Sequence, residues 1–169
     1  MRIFETERLY FDELKEEEIP EVIEIENDKE NRKFIWQGSV EEHLHEIADP
    51  DYLVLLLHEK DSLEIKGYAL THFDFKSNVY EIRRIAITDK GKGYGREMLN
   101  GLVDYVFKNT NTNRIWLDTY TDNVKGICLY ESAGFHKDGV LRQSYLSGDG
   151  YKDQIVYSLL RKEYEEFDK

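Results

Sequence analysis

Leu99, Leu102, Val103, Val106 and Phe107 recur at i, i+3, i+4, i+7 and i+8, one apolar stripe that predicts a helix over residues 94–109. The same period, carried by Ile19, Val22, Ile23 and Glu26, predicts a helix over residues 16–33. It opens on Glu16, Glu17 and Glu18, whose charge suits the positive end of the helix dipole. Val40 to Ala48 predicts a shorter helix, and a fourth opens at Asn123 and stops at Gly134, placed as a C′ glycine. Apolar alternation predicts a first strand from Glu7 to Leu14, with Leu9 and Phe11 on one face. Further strands are expected at 52–58, 65–75, 79–88, 114–120, 135–146 and 151–160, the last two flanking the turn Ser147-Gly148-Asp149-Gly150. The strand–helix–strand passage from 79 to 120 requires a parallel pair inside an otherwise antiparallel, mixed sheet.

A length of 169 residues fits a single domain, 1–169, and 40% apolar residues exclude disorder. The net charge of −12 argues against a nucleic-acid partner. Its placement is uneven: residues 1–50 hold sixteen acids against six bases. The longest apolar run, Tyr52 to Leu57, is far too short for a membrane helix, and the N-terminus has no apolar signal core, so a cytoplasmic location is expected. With one cysteine, Cys128, and no metal-ligand spacing around His43 and His45, neither an intrachain disulfide nor a metal is expected. Cys128 reads as a packing residue inside its helix. Phe34, Trp36 and Tyr52 read as core rather than as an acceptor pocket.

The most informative segment is Lys90-Gly91-Lys92-Gly93-Tyr94-Gly95-Arg96, between a strand and the clearest helix. Alternating glycines let backbone approach a ligand, and the free N–H groups of the helix start point at an anion. Residues 83–96 hold five bases and one acid, so a pyrophosphate is the expected guest. The segment fits neither a P-loop, since Gly93 follows Gly91-Lys92, nor a dinucleotide fingerprint, since Arg96 replaces the third glycine.

Ile85-Ala86-Ile87 with the loop Lys90 to Arg96 resembles the acetyl-CoA-binding motif of the GNAT superfamily of N-acetyltransferases, Lys90 standing where the family has Gln or Arg. Asn123 followed by Leu129-Tyr130-Glu131-Ser132-Ala133-Gly134-Phe135 is similar to a second motif of that family. Glu5-Thr6-Glu7-Arg8-Leu9, Gly139-Val140-Leu141-Arg142 and Gly150-Tyr151-Lys152-Asp153 are similar to the branch that acetylates ribosomal-protein N-termini and polyamines. The resemblance implies an α/β (α+β) fold: a mostly antiparallel sheet of about six to seven strands, its central parallel pair splayed around acetyl-CoA, with about four helices. It also implies acetyl transfer from acetyl-CoA, the cosubstrate, to a primary amine. The backbone of Ile85, Ala86 and Ile87 would pair with the pantetheine arm, the loop residues Lys90, Gly91, Lys92, Gly93, Tyr94, Gly95 and Arg96 would hold the pyrophosphate, and Asn123 would touch the cofactor arm or simply cap its helix.

Tyr130 is the candidate general acid, a phenol protonated at neutral pH, with packing as its alternative role. Glu81 is the candidate base; strand alternation puts Arg83 on its face, where an ion pair would weaken it as a base. Asp118 and Tyr120 are fallback proton acceptors or water holders. Because the acidic first fifty residues would wall the acceptor site in this family, a cationic acceptor such as a polyamine or amino sugar is expected, with a protein N-terminus as alternative. A non-catalytic acyl-CoA binder and an acidic interaction domain are rival readings, and a homodimer is left open.

Overall fold

The computed structural model describes residues 1–167. An eight-stranded sheet is ordered β1-β2-β3-β4-β5-β6-β8-β7. Its strands are β1 (Arg2–Glu5), β2 (Leu9–Glu13), β3 (Tyr52–Glu59), β4 (Ile65–Asp74), β5 (Val79–Ile87), β6 (Arg114–Tyr120), β7 (His136–Ser147) and β8 (Gly150–Leu160). The helices are α1 (Ile19–Asn27), preceded by a 3₁₀ turn at Glu16–Glu18, α2 (Val40–Ala48), α3 (Tyr94–Asn109), α4 (Val124–Ser132) and α5 (Arg161–Phe167). The architecture is the expected mixed, mostly antiparallel one. The strand count rises to eight because β1, a four-residue edge strand, carries no alternation long enough to read, and α5 is a fifth helix beyond the four anticipated.

The run Tyr52–Leu57 is apolar on both faces because both are covered. Leu55 and Leu57 join Leu99, Leu102, Val106 and Phe107 of α3, while Val54 and Leu56 pack against Ile19, Val22 and Ile25 of α1. Sequence alone placed one helix over 16–33, but α1 stops at Asn27. The amides of Asn27 and Asn31 reach back to the carbonyls of Ile23 and Ile25, and Asp28 leaves the helix with ψ 139° while its carboxylate accepts from the Glu30 amide. Residues 28–39 therefore form a connection that runs over the centre of the sheet instead of two further helical turns.

That centre is open. β5 and β6 pair in parallel only at Val79↔Arg114, Tyr80↔Ile115 and Glu81↔Trp116. Beyond Glu81 the strands diverge, β5 staying on β4 and β6 on β8. A β-bulge at Arg83, which lies between the pairs Leu70↔Arg84 and Thr71↔Ile82, starts the divergence. It also switches the alternation: Tyr80 and Ile82 face the α3 core before it, Ile85 and Ile87 after it. Among the described residues no helix is long and apolar enough to cross a membrane.

Candidate active site

The opening between β5 and β6 is a cavity of about 720 Å³, whose wall includes Glu81, Ile85, Gly93, Asp118, Asn123 and Tyr130. Its two ends are built differently. At one end lies the glycine loop. Gly91 and Gly93 take φ of +80° and +84°, the left-handed region, and Gly93 is the N-cap of α3. The first intrahelical bond is Glu97 N–H to the Gly93 carbonyl, so the amides of Tyr94, Gly95 and Arg96 have no helical acceptor, and no side chain caps them. By contrast Ser39 caps α2 and Asn123 caps α4. An uncapped helix N-terminus facing a cavity is suited to a pyrophosphate.

The side chains of the loop are engaged within the protein. Lys90 donates to Asn31 Oδ1 and, at 3.2 Å, to the Ile87 carbonyl, and desolvation of its ammonium lowers its pKa. Lys92 pairs with Asp89 at 3.3 Å, and Arg96 donates to Ser132 Oγ at 3.3 Å; neither lines the cavity. The Tyr94 ring is buried and its hydroxyl bonds Glu59. The loop meets the cavity through its glycines and through Lys90 and Tyr94, whose polar tips are already bonded within the protein. Sequence reasoning missed the clamp beneath it. Glu97 accepts from Thr6 Oγ1 (2.6 Å), the Arg8 amide (2.7 Å) and Arg8 Nε (2.6 Å), and Arg8 also donates to the Lys92 carbonyl at 3.0 Å. The signal was present in Thr6-Glu7-Arg8, which matched a branch motif without a physical reason.

Asn123 lines the cavity, yet its amide is occupied: Oδ1 accepts from Gly126 N–H at 3.1 Å and Nδ2 donates to Thr119 Oγ1 at 3.0 Å. The capping role expected as its alternative is present.

At the apex, where the strands part, Glu81, Asp118 and Tyr130 meet the cavity. Burial raises the Glu81 pKa; Arg83, whose Nε is 3.5 Å from Glu81 Oε2, opposes the rise without cancelling it, and Asp118 adds to it. The ion pair anticipated from alternation is thus present, but Arg83 is bulged outward and also donates to the Tyr52 hydroxyl. Asp118 opens onto the cavity with protein on its other sides; burial raises its pKa, against a 3.0 Å hydrogen bond from Gln154 and the Arg83 charge. Burial, then the Asp118 charge, push the Tyr130 phenol far above its ordinary value, and no hydrogen bond contributes.

At the other end the wall is aromatic. Phe34 and Trp36 line the cavity, Trp36 half-exposed, correcting the expectation that they pack in the core. Tyr52 stands outside it against His72. Trp36 meets Tyr145 of β7 edge-on at 6.4 Å, and Tyr145 lies 5.3 Å from Tyr120. Cys128 is exposed rather than packed, because α4 turns Gly126 and Tyr130 inward.

The acidity of the first fifty residues does not face the cavity. Of their charged side chains only Glu30 and Lys33 line it, one of each sign. Glu26 and Glu46 sit beneath the wall in a buried cluster. Glu26 accepts from Tyr68 (2.5 Å), Arg84 (3.0 Å) and the Gly38 amide (2.7 Å), and lies 3.2 Å from His43 Nε2; Glu46 is 2.8 Å from His43 Nδ1. Burial alone would lower the His43 pKa, but its bonds to the two carboxylates carry it up to about 9, so both ring nitrogens donate. Through Gly38 the cluster ties the 28–39 connection to β4, β5 and α2.

Comparison with known proteins agrees with this geometry. The chain is 27% identical over 122 residues to a spermidine N(1)-acetyltransferase of Vibrio cholerae, covering 72% of this chain and 69% of that one. It is 35% identical over 68 residues to the ribosomal protein bS18-alanine N-acetyltransferase of Escherichia coli, covering 40% and 45%. The fold matches the crystal structure of spermidine N-acetyltransferase from Vibrio cholerae in complex with CoA and spermine, with TM-score 0.84, 20% identity and coverage of 95% and 99%. The family model for the acetyltransferase (GNAT) domain matches residues 8–136. With strands parted beside an uncapped helix start and that model spanning most of the chain, the protein belongs to the GNAT acetyltransferase family, whose members include N-acetyltransferases.

Proposed function

We propose that the chain transfers the acetyl group of acetyl-CoA to the primary amine of a small molecule, with Glu81 as base and Tyr130 as acid. The observation that carries this reading is the convergence of Glu81, Asp118 and Tyr130 on the apex of a cavity whose far end is an uncapped helix N-terminus. Bound acetyl-CoA supplies an activated acyl group on a thiol leaving group. The residues present suit it: the amides of Tyr94, Gly95 and Arg96 offer donors to its pyrophosphate, and the backbone of Ile85, Ala86 and Ile87 has no strand partner on its β6 side, the Ile87 carbonyl alone being taken, by Lys90 and Asn31.

An aliphatic amine arrives as the ammonium, which Asp118 and Glu81 attract. Glu81, its pKa raised by burial, is placed to take the proton directly or through a water. Tyr130 stays protonated at every working pH and donates to the departing sulfur. Because the Asp118 charge is one of the two causes holding the phenol's proton, a proton arriving at the Asp118–Glu81 pair makes the Tyr130 proton easier to release. Deprotonation of the amine and protonation of the thiolate are thereby coupled across the apex.

The test is CoA thiol release with a panel of small amines and a short peptide, in wild type and Glu81→Gln. Turnover of small amines with an ascending pH limb that the variant loses supports the reading. Release only with the peptide favours the N-terminal alternative, and saturable acetyl-CoA binding without release favours a non-catalytic binder.

A further inference from the structure

The expectation of a polycationic acceptor rested on acid charge at the acceptor mouth, and that charge lies on outer faces or in the buried Glu26 cluster. Three carboxylates of the wall already have partners: Arg83 for Glu81, Lys152 for Asp122 at 3.3 Å, and Gln154 for Asp118. Lys152 also lies 5.0 Å from the Tyr120 ring, so a cation of the chain itself already occupies that aromatic face. Charge for one ammonium remains at the apex; farther out Glu30 lines the wall beside Lys33, and Glu42 lies against the Trp36 indole without lining the cavity.

What the outer wall offers instead is flat apolar surface. Phe34, Trp36, Tyr120 and Tyr145 line it, and the half-exposed Trp36 indole leaves a large ring uncovered at the mouth. Tyr120 and Asp118 stand two residues apart on the same side of β6, about 7 Å along the strand. An ammonium held at Asp118 on a two- or three-carbon arm therefore sets its substituent among these rings.

From this geometry we infer that the acceptor is an arylalkylamine, a single primary amine on a short aliphatic arm of an aromatic ring, and that Trp36 and Tyr145 are its specificity-determining residues. This inference rests on the acetyl-transfer reading above. Aromatic pairs prefer edge-to-face or offset contacts, and such contacts are worth about 0.5–1.5 kcal/mol beyond the area they bury. The cluster beneath the wall ties the 28–39 connection, which carries Phe34 and Trp36, to the sheet through Gly38.

The experiment measures CoA release at saturating acetyl-CoA with phenethylamine, n-octylamine of the same carbon number, and spermidine. Phenethylamine should exceed both others in kcat/KM by about tenfold. Trp36→Ala should lower the phenethylamine to octylamine ratio by about the same factor through KM, and Trp36→Phe should restore most of it. Spermidine as the better substrate, or an equal loss with all three amines, overturns the inference while leaving acetyl transfer standing. If no amine releases thiol, acetyl transfer fails. The aromatic wall is then tested alone by fluorescence with CoA present, Trp36 and Trp116 being the chain's two tryptophans. Saturable quenching by phenethylamine that Trp36→Phe abolishes supports the wall, and its absence overturns it.

Discussion

The two ends of the cavity, which we propose take the cofactor and the acceptor, are made of different material. The first is backbone: glycines at positive φ, three unbonded amides and the free edge of β5, contributed by residues 85–96. The second is side chains from three distant stretches, Phe34 and Trp36 from the 28–39 connection, Tyr120 from β6 and Tyr145 from β7. Backbone donors hold a group common to every turnover, whereas side chains can be exchanged without disturbing the sheet. The first end suits a constant cosubstrate and the second a variable acceptor.

The largest expected effect breaks the cofactor end. Gly93→Val places a β-branched residue at φ +84°, where only glycine sits without strain, and moves the amides at the start of α3. The kcat/KM for acetyl-CoA should fall by at least about 10²-fold with the fold retained by circular dichroism, the size expected when a reacting group is misplaced by an ångström. Unchanged cofactor kinetics in the folded variant would dissociate the loop from the pyrophosphate.

Tyr130→Phe acts between the two ends. The phenol makes no hydrogen bond, so losing it leaves packing and Tm almost unchanged, while kcat should drop by about 10²-fold, at the low end for a lost general acid. Normal turnover would reduce Tyr130 to a core residue.

The third prediction separates the ends by pH. The acceptor wall rests on His43, whose pKa rises from 6.5 to about 9 on folding. Protonation of the folded state is favoured, so its stabilisation is complete below the unfolded value and lost as pH climbs from about 6.5 through 9. Chemical denaturation should show the stability gap between wild type and His43→Gln narrowing by on the order of 3 kcal/mol between mildly acidic and strongly basic pH. A gap constant with pH would mean that His43 is neutral in the cluster. Backbone amides do not titrate, so acetyl-CoA affinity should follow this change only weakly.

Much of the cofactor end was legible in the sequence, because alternating glycines between a strand and a strongly periodic helix leave few other structures open. The β5–α3–β6 crossover was legible for the same reason, since local spacing sets it, whereas Tyr130 was singled out by family resemblance alone. The acceptor end was not. No proline or glycine interrupts residues 28–33 to end the helix in the letters, and the Asn27, Asp28 and Asn31 side chains, competing for backbone groups, turn the chain away. The bulge at Arg83 was equally silent, since one extra residue leaves no mark on an already mixed pattern of apolar and charged residues. Charge counted along the chain carried no direction: acids in residues 1–50 are plentiful, but where they point is a tertiary property.

The smallest expected effect follows from that direction. With the acids turned outward or paired, the KM for a cationic amine should change by less than about twofold between low and physiological salt, as for a neutral amine of equal size. A steep rise in KM for the cation alone would return the acidic helices to the acceptor's field.

The splay itself puts two strand edges in the middle of a sheet, where other sheets have none. Edges are where extended chains add by main-chain pairing, and proteins usually blunt them with charge, proline or a covering loop. Here the β6-facing edge of residues 82–87 is neither capped by a strand nor interrupted by proline, and Asn31 and Lys90 cover it only at the Ile87 carbonyl. Three residue pairs hinge the two leaves at one side, so the edges separate progressively and any one strand that entered could bond to only one of them along most of its length. The wedge is thus open to a slender chain that needs a single row of hydrogen bonds and closed to a polypeptide that would need two, which lets the protein keep a sticky edge in its interior without recruiting another copy of itself.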